Sequence, residues 1–120
     1  DGDQLPDKVM IHLKFENNSI ASISYLSNGS KALPKEYLEV YSGGKTIIIN
    51  DFKELSLASQ KVKTKKQKQD KGYRGEVKAL VNSINKGEAM PIPFDELYQS
   101  TLASFKVMES IQLNGERIEL

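Results

Sequence analysis

From Lys8 onward hydrophobic and polar positions alternate: Val9, Ile11, Leu13 and Phe15 fall on one side of an extended chain, Met10, His12 and Lys14 on the other. A period of two is the mark of a half-covered strand. Residues 20–26 repeat it, with Ala21, Ile23 and Tyr25 on one face. Glu16-Asn17-Asn18-Ser19 lies between them, and Asn tolerates the positive φ that a hairpin loop demands, so a β-hairpin is predicted. Ser27-Asn28-Gly29-Ser30 reads as a loop, and Pro34 ends pairing there. Residues 36–41 alternate again with Leu38 and Val40 inward, and Ser42-Gly43-Gly44-Lys45 is a turn. The β-branched run Thr46-Ile47-Ile48-Ile49 predicts a strand covered on both sides. Asn50-Asp51-Phe52 breaks that run, and Leu55 and Leu57 alternate in a short segment after it. Short connections between five strands favour an antiparallel sheet.

The period then changes. Val77, Leu80, Val81 and Ile84 recur at the spacing of one helical face, with Tyr73 a turn earlier and Lys78, Asn82 and Asn85 on the wet side. Asp70 fits an N-cap, Glu76 adds negative charge near the first turn, and Gly87 is a stop. Two prolines, Pro91 and Pro93, keep the connector extended. A second helix over 95–113 follows, its stripe formed by Leu97, Thr101, Ser104, Phe105, Met108 and Ile111, with Asn114-Gly115 as its end. Ile118 and Leu120 alternate once more and can add a last strand. The expected fold is α+β: a mostly antiparallel sheet of five to six strands with two helices packed on one face.

Composition narrows this little. At 120 residues the chain is expected to be a single domain, 1–120, opening with a loosely held polar lead over 1–7. Lys+Arg 17 against Asp+Glu 16 argues against a whole-domain partner such as nucleic acid or an anionic membrane. The absence of cysteine fits a cytoplasmic origin, and the sequence contains neither a signal-peptide pattern nor an apolar run of spanning length. Asp1-Gly2-Asp3 opens the chain without methionine, as in a piece of something longer or a processed chain.

Catalytic chemistry finds few candidates. Nucleophilic catalysis needs a base beside its nucleophile, and the one histidine, His12, lies mid-strand on the face opposite Val9 and Ile11. No clustered ligands at metal spacing occur. Asp95-Glu96 offers an acid/base pair, but adjacent carboxylates that open a helix ordinarily complement the macrodipole. Gly72 and Gly75 match neither the dinucleotide fingerprint nor a Walker sequence. The lysines from Lys61 to Lys71 read as an edge strand or loop guarded against pairing, or as a phosphate-attracting patch. No aromatic residue interleaves them, which argues against a nucleic-acid platform. The most suggestive constellation is Asp70-Lys71-Gly72-Tyr73, where a lysine and a tyrosine flank a glycine at a helix N-terminus; it reads either as an anion- or hydroxyl-binding corner or as a capped helix start.

Taken in order, Tyr25-Leu26-Ser27-Asn28-Gly29, the stretch from Pro34 to Val40, Asn50-Asp51-Phe52, Asp70-Lys71-Gly72-Tyr73, Pro91-Ile92-Pro93-Phe94 with Glu96-Leu97, and Glu109-Ser110 resemble the C-terminal domain of the glucose–fructose oxidoreductase / inositol dehydrogenase (Gfo/Idh/MocA) family. The resemblance implies a two-domain NAD(P)-dependent oxidoreductase. Its N-terminal Rossmann domain would carry the NAD or NADP site and the lysine of a Glu-Lys-Pro motif. The part seen here would wall a sugar-like substrate and form a homo-oligomer through its sheet. No catalytic, cofactor or metal residue is then expected in this chain, which would be inactive alone. Lys71, Gly72 and Tyr73 are expected near substrate, with Lys35 as an outlying candidate; Tyr73 stands where this branch carries histidine. Without the resemblance, the chain reads as a non-catalytic protein-interaction module that uses an exposed sheet face.

Overall fold

The computed structural model describes residues 7–120; the expectation for the polar lead falls largely on residues 1–6, outside that range. Six strands and two helices follow in the order β1 (Lys8–Lys14), β2 (Ile20–Leu26), β3 (Tyr37–Ser42), β4 (Lys45–Asn50), β5 (Glu54–Ala58), β6 (Val62–Lys66), α1 (Tyr73–Lys86) and α2 (Phe94–Gln112). The class is α+β, and every strand pairing is antiparallel. The strands form two sheets rather than one: the β1–β2 hairpin, and a four-stranded meander in the order β3-β4-β5-β6. The chain folds as two compact units, the first holding all the strands and ending at Gly72, the second holding both helices from Tyr73 to Leu120.

In the hairpin, Val9 faces Tyr25, Ile11 faces Ile23 and Leu13 faces Ala21, as the alternation predicts. Asn18 takes φ 65° in the turn, where its N–H donates to the Phe15 carbonyl at 2.9 Å. In the meander, Leu38, Val40, Ile47, Ile49, Leu55 and Leu57 share one face, because residues directly opposite each other point the same way. Lys63 and Lys65 of β6 continue that face opposite Leu57 and Leu55. Tyr37, Glu39, Tyr41, Ile48, Ser56 and Thr64 lie on the other. Ile47 is exposed, so β4 is not covered on both sides as its apolar run suggests. The β3–β4 loop is Gly43-Gly44, both at positive φ, which glycine adopts without a Cβ clash.

Each helix in the second unit ends in a Schellman arrangement. For α1, Gly87 sits at φ 64°, its N–H donates to the Ile84 carbonyl and that of Glu88 to Ser83. For α2, Asn114 holds the same position at φ 57°, with Gly115 N–H donating to Ser110 at 2.7 Å. The α1 stripe of Tyr73, Val77, Leu80, Val81 and Ile84 is exposed. On α2 the half-buried positions are Leu102, Ala103, Lys106, Val107, Met108, Ser110 and Ile111. That corrects the predicted stripe, of which Leu97, Thr101, Ser104 and Phe105 are exposed; the Thr101 and Ser104 hydroxyls donate back to their own helix at Leu97 and Thr101. The last strand expected at 117–120 does not form. Asn114-Gly115 turns the chain out of the helix, and the Ser110 hydroxyl donates to the Glu116 carbonyl.

Among the described residues no apolar side chain is buried, and the two buried residues are polar, Asp51 at 7% and Ser83 at 8% exposure. Ser83 satisfies its hydroxyl on the Ala79 carbonyl one turn back. Asp51 has a larger set of partners, which locates the candidate site.

Candidate functional site

The site is built from three sequence-distant pieces at one end of the four-stranded sheet. Glu36 enters β3, Asp51 and Phe52 turn the chain from β4 to β5, and Gln67 to Gly72 leaves β6. The Asp51 N–H donates to the Glu36 carbonyl at 2.8 Å, and the Asp70 N–H donates to the Phe52 carbonyl at 3.4 Å. Gln69 Nε2 donates to both the carbonyl and Oδ1 of Asp51, at 3.2 and 2.9 Å. Lys53 pairs with Oδ2 of the same carboxylate, and Lys71 pairs with Oε1 of Glu36.

Asp51 is thus a buried carboxylate with each oxygen satisfied, as burial of a charge requires. Its pKa lies below the ordinary carboxylate value. The hydrogen bond from Lys53 is the largest cause; burial opposes it, and the Lys53 charge, Glu36 and Gln69 add to the lowering. The turn itself is unusual. Asp51 and Phe52 have φ 50° and 53°, and Lys53 N–H closes it on Asn50 at 3.0 Å. Type I′ hairpins with positive φ at both central positions normally carry Asn-Gly or Asp-Gly there, so phenylalanine stands where glycine is favoured.

Of the four residues expected near substrate, Lys71 lies in this cluster, its side chain 32% exposed. Gly72 closes the segment at φ 84°, with its N–H on Asp70 Oδ1 at 2.9 Å. Asp70 therefore caps a local turn and not α1, which begins at Tyr73. Lys35 is exposed and adjoins the cluster through Glu36. Tyr73 opens α1 in the second unit and is 69% exposed. Sequence reasoning missed Glu36, Asp51 and Gln69. The available signal was a short polar break between two β-branched or alternating runs, which is hairpin spacing, but the break lacks glycine.

Other sequence candidates are placed elsewhere. His12 lies on the hairpin face opposite Val9 and shares a 3.0 Å hydrogen bond between Nδ1 and the Ser22 hydroxyl. Asp95 and Glu96 stand in the first turn of α2. The middle of the lysine run, Lys63, Lys65 and Lys66, lies in edge strand β6, where Lys66 pairs with Glu54 across the ladder. Among the described residues no group of three or more potential ligands is placed to hold a metal ion. No helix among them is long and apolar enough to cross a membrane. Shallow depressions lie on the aliphatic sheet face at Val40, Ile47 and Leu57 and along α1 at Tyr73, Val77 and Val81. Both are open and apolar, and neither includes Lys71, so the polar convergence locates the candidate site better than concavity does.

No protein-family profile, no curated protein and no solved structure matches the chain.

Proposed function

We propose that this chain is the substrate-side domain of a longer NAD(P)-dependent sugar or cyclitol oxidoreductase, in which it walls the substrate pocket and supplies subunit contacts. The observation that carries the reading is the convergence on Asp51. Three of the stretches that resemble the Gfo/Idh/MocA family, those containing Glu36, Asp51-Phe52 and Asp70-Lys71, meet in one hydrogen-bonded cluster. Lys71 and Glu36 set an ammonium donor directly beside a carboxylate acceptor. A hydroxyl both donates and accepts, so such a pair suits the vicinal hydroxyls of a polyol.

The nicotinamide supplies hydride chemistry when bound. Every strand pairing among the described residues is antiparallel, so those residues present no parallel βαβ unit of the dinucleotide-binding type, and none of them takes a step of hydride transfer in this proposal. Its part is to bind and orient substrate. The aliphatic face of the meander, with Leu38, Val40, Leu55 and Leu57 exposed beside Lys63 and Lys65, suits a homo-oligomeric contact. The same face favours a second reading, a non-catalytic interaction module.

Turnover separates the two. The longer protein is expected to reduce NAD or NADP with a sugar or cyclitol, while residues 1–120 alone show no nicotinamide binding by calorimetry. Tight binding of either nucleotide by residues 1–120 contradicts the placement of the cofactor site. A longer protein without nicotinamide turnover leaves the interaction module as the function.

A further inference from the structure

We infer that Asp51 is the positioning residue for Lys71, setting where its ammonium meets a polyhydroxylated substrate; the substrate half of this inference rests on the oxidoreductase reading. The observation is a strained turn held from several sides. A bulky residue at φ 53° persists only where its surroundings over-determine it, and such strain collects at functional sites.

Here the surroundings are specific. The Asp51 carboxylate accepts Gln69 at Oδ1 and Lys53 at Oδ2. The Phe52 carbonyl accepts the Asp70 N–H at 3.4 Å and Gln67 Nε2 at 3.4 Å. Gln67 N–H in turn donates to the Lys53 carbonyl at 2.8 Å. The departing segment is therefore stitched to the turn at residues 67, 69 and 70, directly before Lys71.

One acceptor for Lys71, the Glu36 carboxylate, stands on backbone tied to the same turn. Glu36 is tied to Asp51 through the Asp51 N–H, so Lys71 and its carboxylate partner are both referenced to one residue. A lysine side chain has many rotamers to lose on ordering. Anchoring its backbone and its counter-ion to one turn limits that loss before substrate arrives, which is the gain of preorganisation.

The test uses Asp51→Ala and Asp51→Asn in the longer protein. Mass spectrometry would follow lysine acetylation, with Lys61 of the same molecule as reference, and far-UV circular dichroism would report the fold. Lys71 should label about threefold to tenfold faster relative to Lys61 in Asp51→Ala, with Asp51→Asn intermediate, since the lost contacts are hydrogen bonds to a charged group. The apparent KM for the sugar or cyclitol should rise in the same order while kcat holds. An unchanged labelling ratio in folded Asp51→Ala overturns the inference whatever the kinetics. If Asp51→Ala does not fold, Asp51→Asn and Gln69→Ala carry the same test. Faster Lys71 labelling without any change in KM overturns the substrate half, leaving Asp51 as a structural anchor. Absence of nicotinamide turnover in the unaltered protein is instead a failure of the oxidoreductase reading.

Discussion

At the residue scale, carboxylates in this chain are organised by the donors around them. Glu39, on edge strand β3, accepts Tyr37 Oη–H at 2.6 Å and Tyr41 Oη–H at 2.8 Å, because residues two apart on a strand share a face. Hydrogen bonds from Tyr37 and then Tyr41 hold the Glu39 carboxyl below its usual pKa, against a smaller opposing effect of burial. The hydrogen bond to Glu39 is likewise the first cause that raises both phenols above 10.0, with burial next. The signs set a pH window. A lowered carboxyl contributes stability above its unfolded pKa, which is lost as pH falls through the folded value; a raised phenol contributes below its unfolded pKa, which is lost as pH rises through the folded value. The clamp therefore weakens at both acid and strongly alkaline pH. Its exposure to solvent keeps the effect small. Glu39→Gln should bring the Tyr37 and Tyr41 titrations, followed by NMR at the phenol carbons, back toward 10.0. Unmoved midpoints would show that the clamp does not persist in solution. The period of two places this glutamate between two tyrosines on one face of β3, so the clamp lies within a single strand, but that spacing alone does not separate it from an ordinary strand-surface residue.

At the element scale, backbone periodicity and stop signals were the most legible features. Alternation located β1, β2, β3 and β5, and a β-branched run located β4, to within a residue or two; of the readings open for the lysine run, an edge strand forms over Val62–Lys66, where lysines discourage further pairing. Gly87 and Asn114 end their helices because each takes a left-handed φ. Gly87→Ala should lower stability by about 1 kcal/mol, read as a shift of the urea midpoint for loss of helical signal. An unshifted midpoint would mean that α1 does not depend on this cap. The covered side of α2 was not legible. Leu97, Leu102, Phe105, Val107, Met108 and Ile111 place apolar groups around much of its circumference, so a 3.6-residue period fits more than one stripe. The β4 run misled for a related reason: β-branched residues mark a strand strongly but say little about how many of its faces are covered.

At the scale of the whole molecule, the α+β class follows from the change of period near residue 70, but the site depends on long-range pairing. Glu36, Asp51 and Lys71 become neighbours because β3, β4, β5 and β6 pair in succession and bring their ends to one side. No local pattern encodes that meeting, and the residue at its centre appears in the sequence as a mere interruption of an isoleucine run. Lys71 drew attention through its place beside Gly72 and Tyr73; its partner Glu36, 35 residues earlier, did not. The central claim is that this convergence presents Lys71 to a polyol. The measurement that tests it most directly is steady-state kinetics of the proposed longer oxidoreductase with Lys71→Ala, against Lys68→Ala on the same lysine-rich segment. Losing a charged hydrogen-bond donor to substrate should raise the KM for the sugar or cyclitol by about tenfold or more in Lys71→Ala and leave Lys68→Ala near the unaltered protein. Equal kinetics for the two variants and the unaltered protein would contradict the proposal.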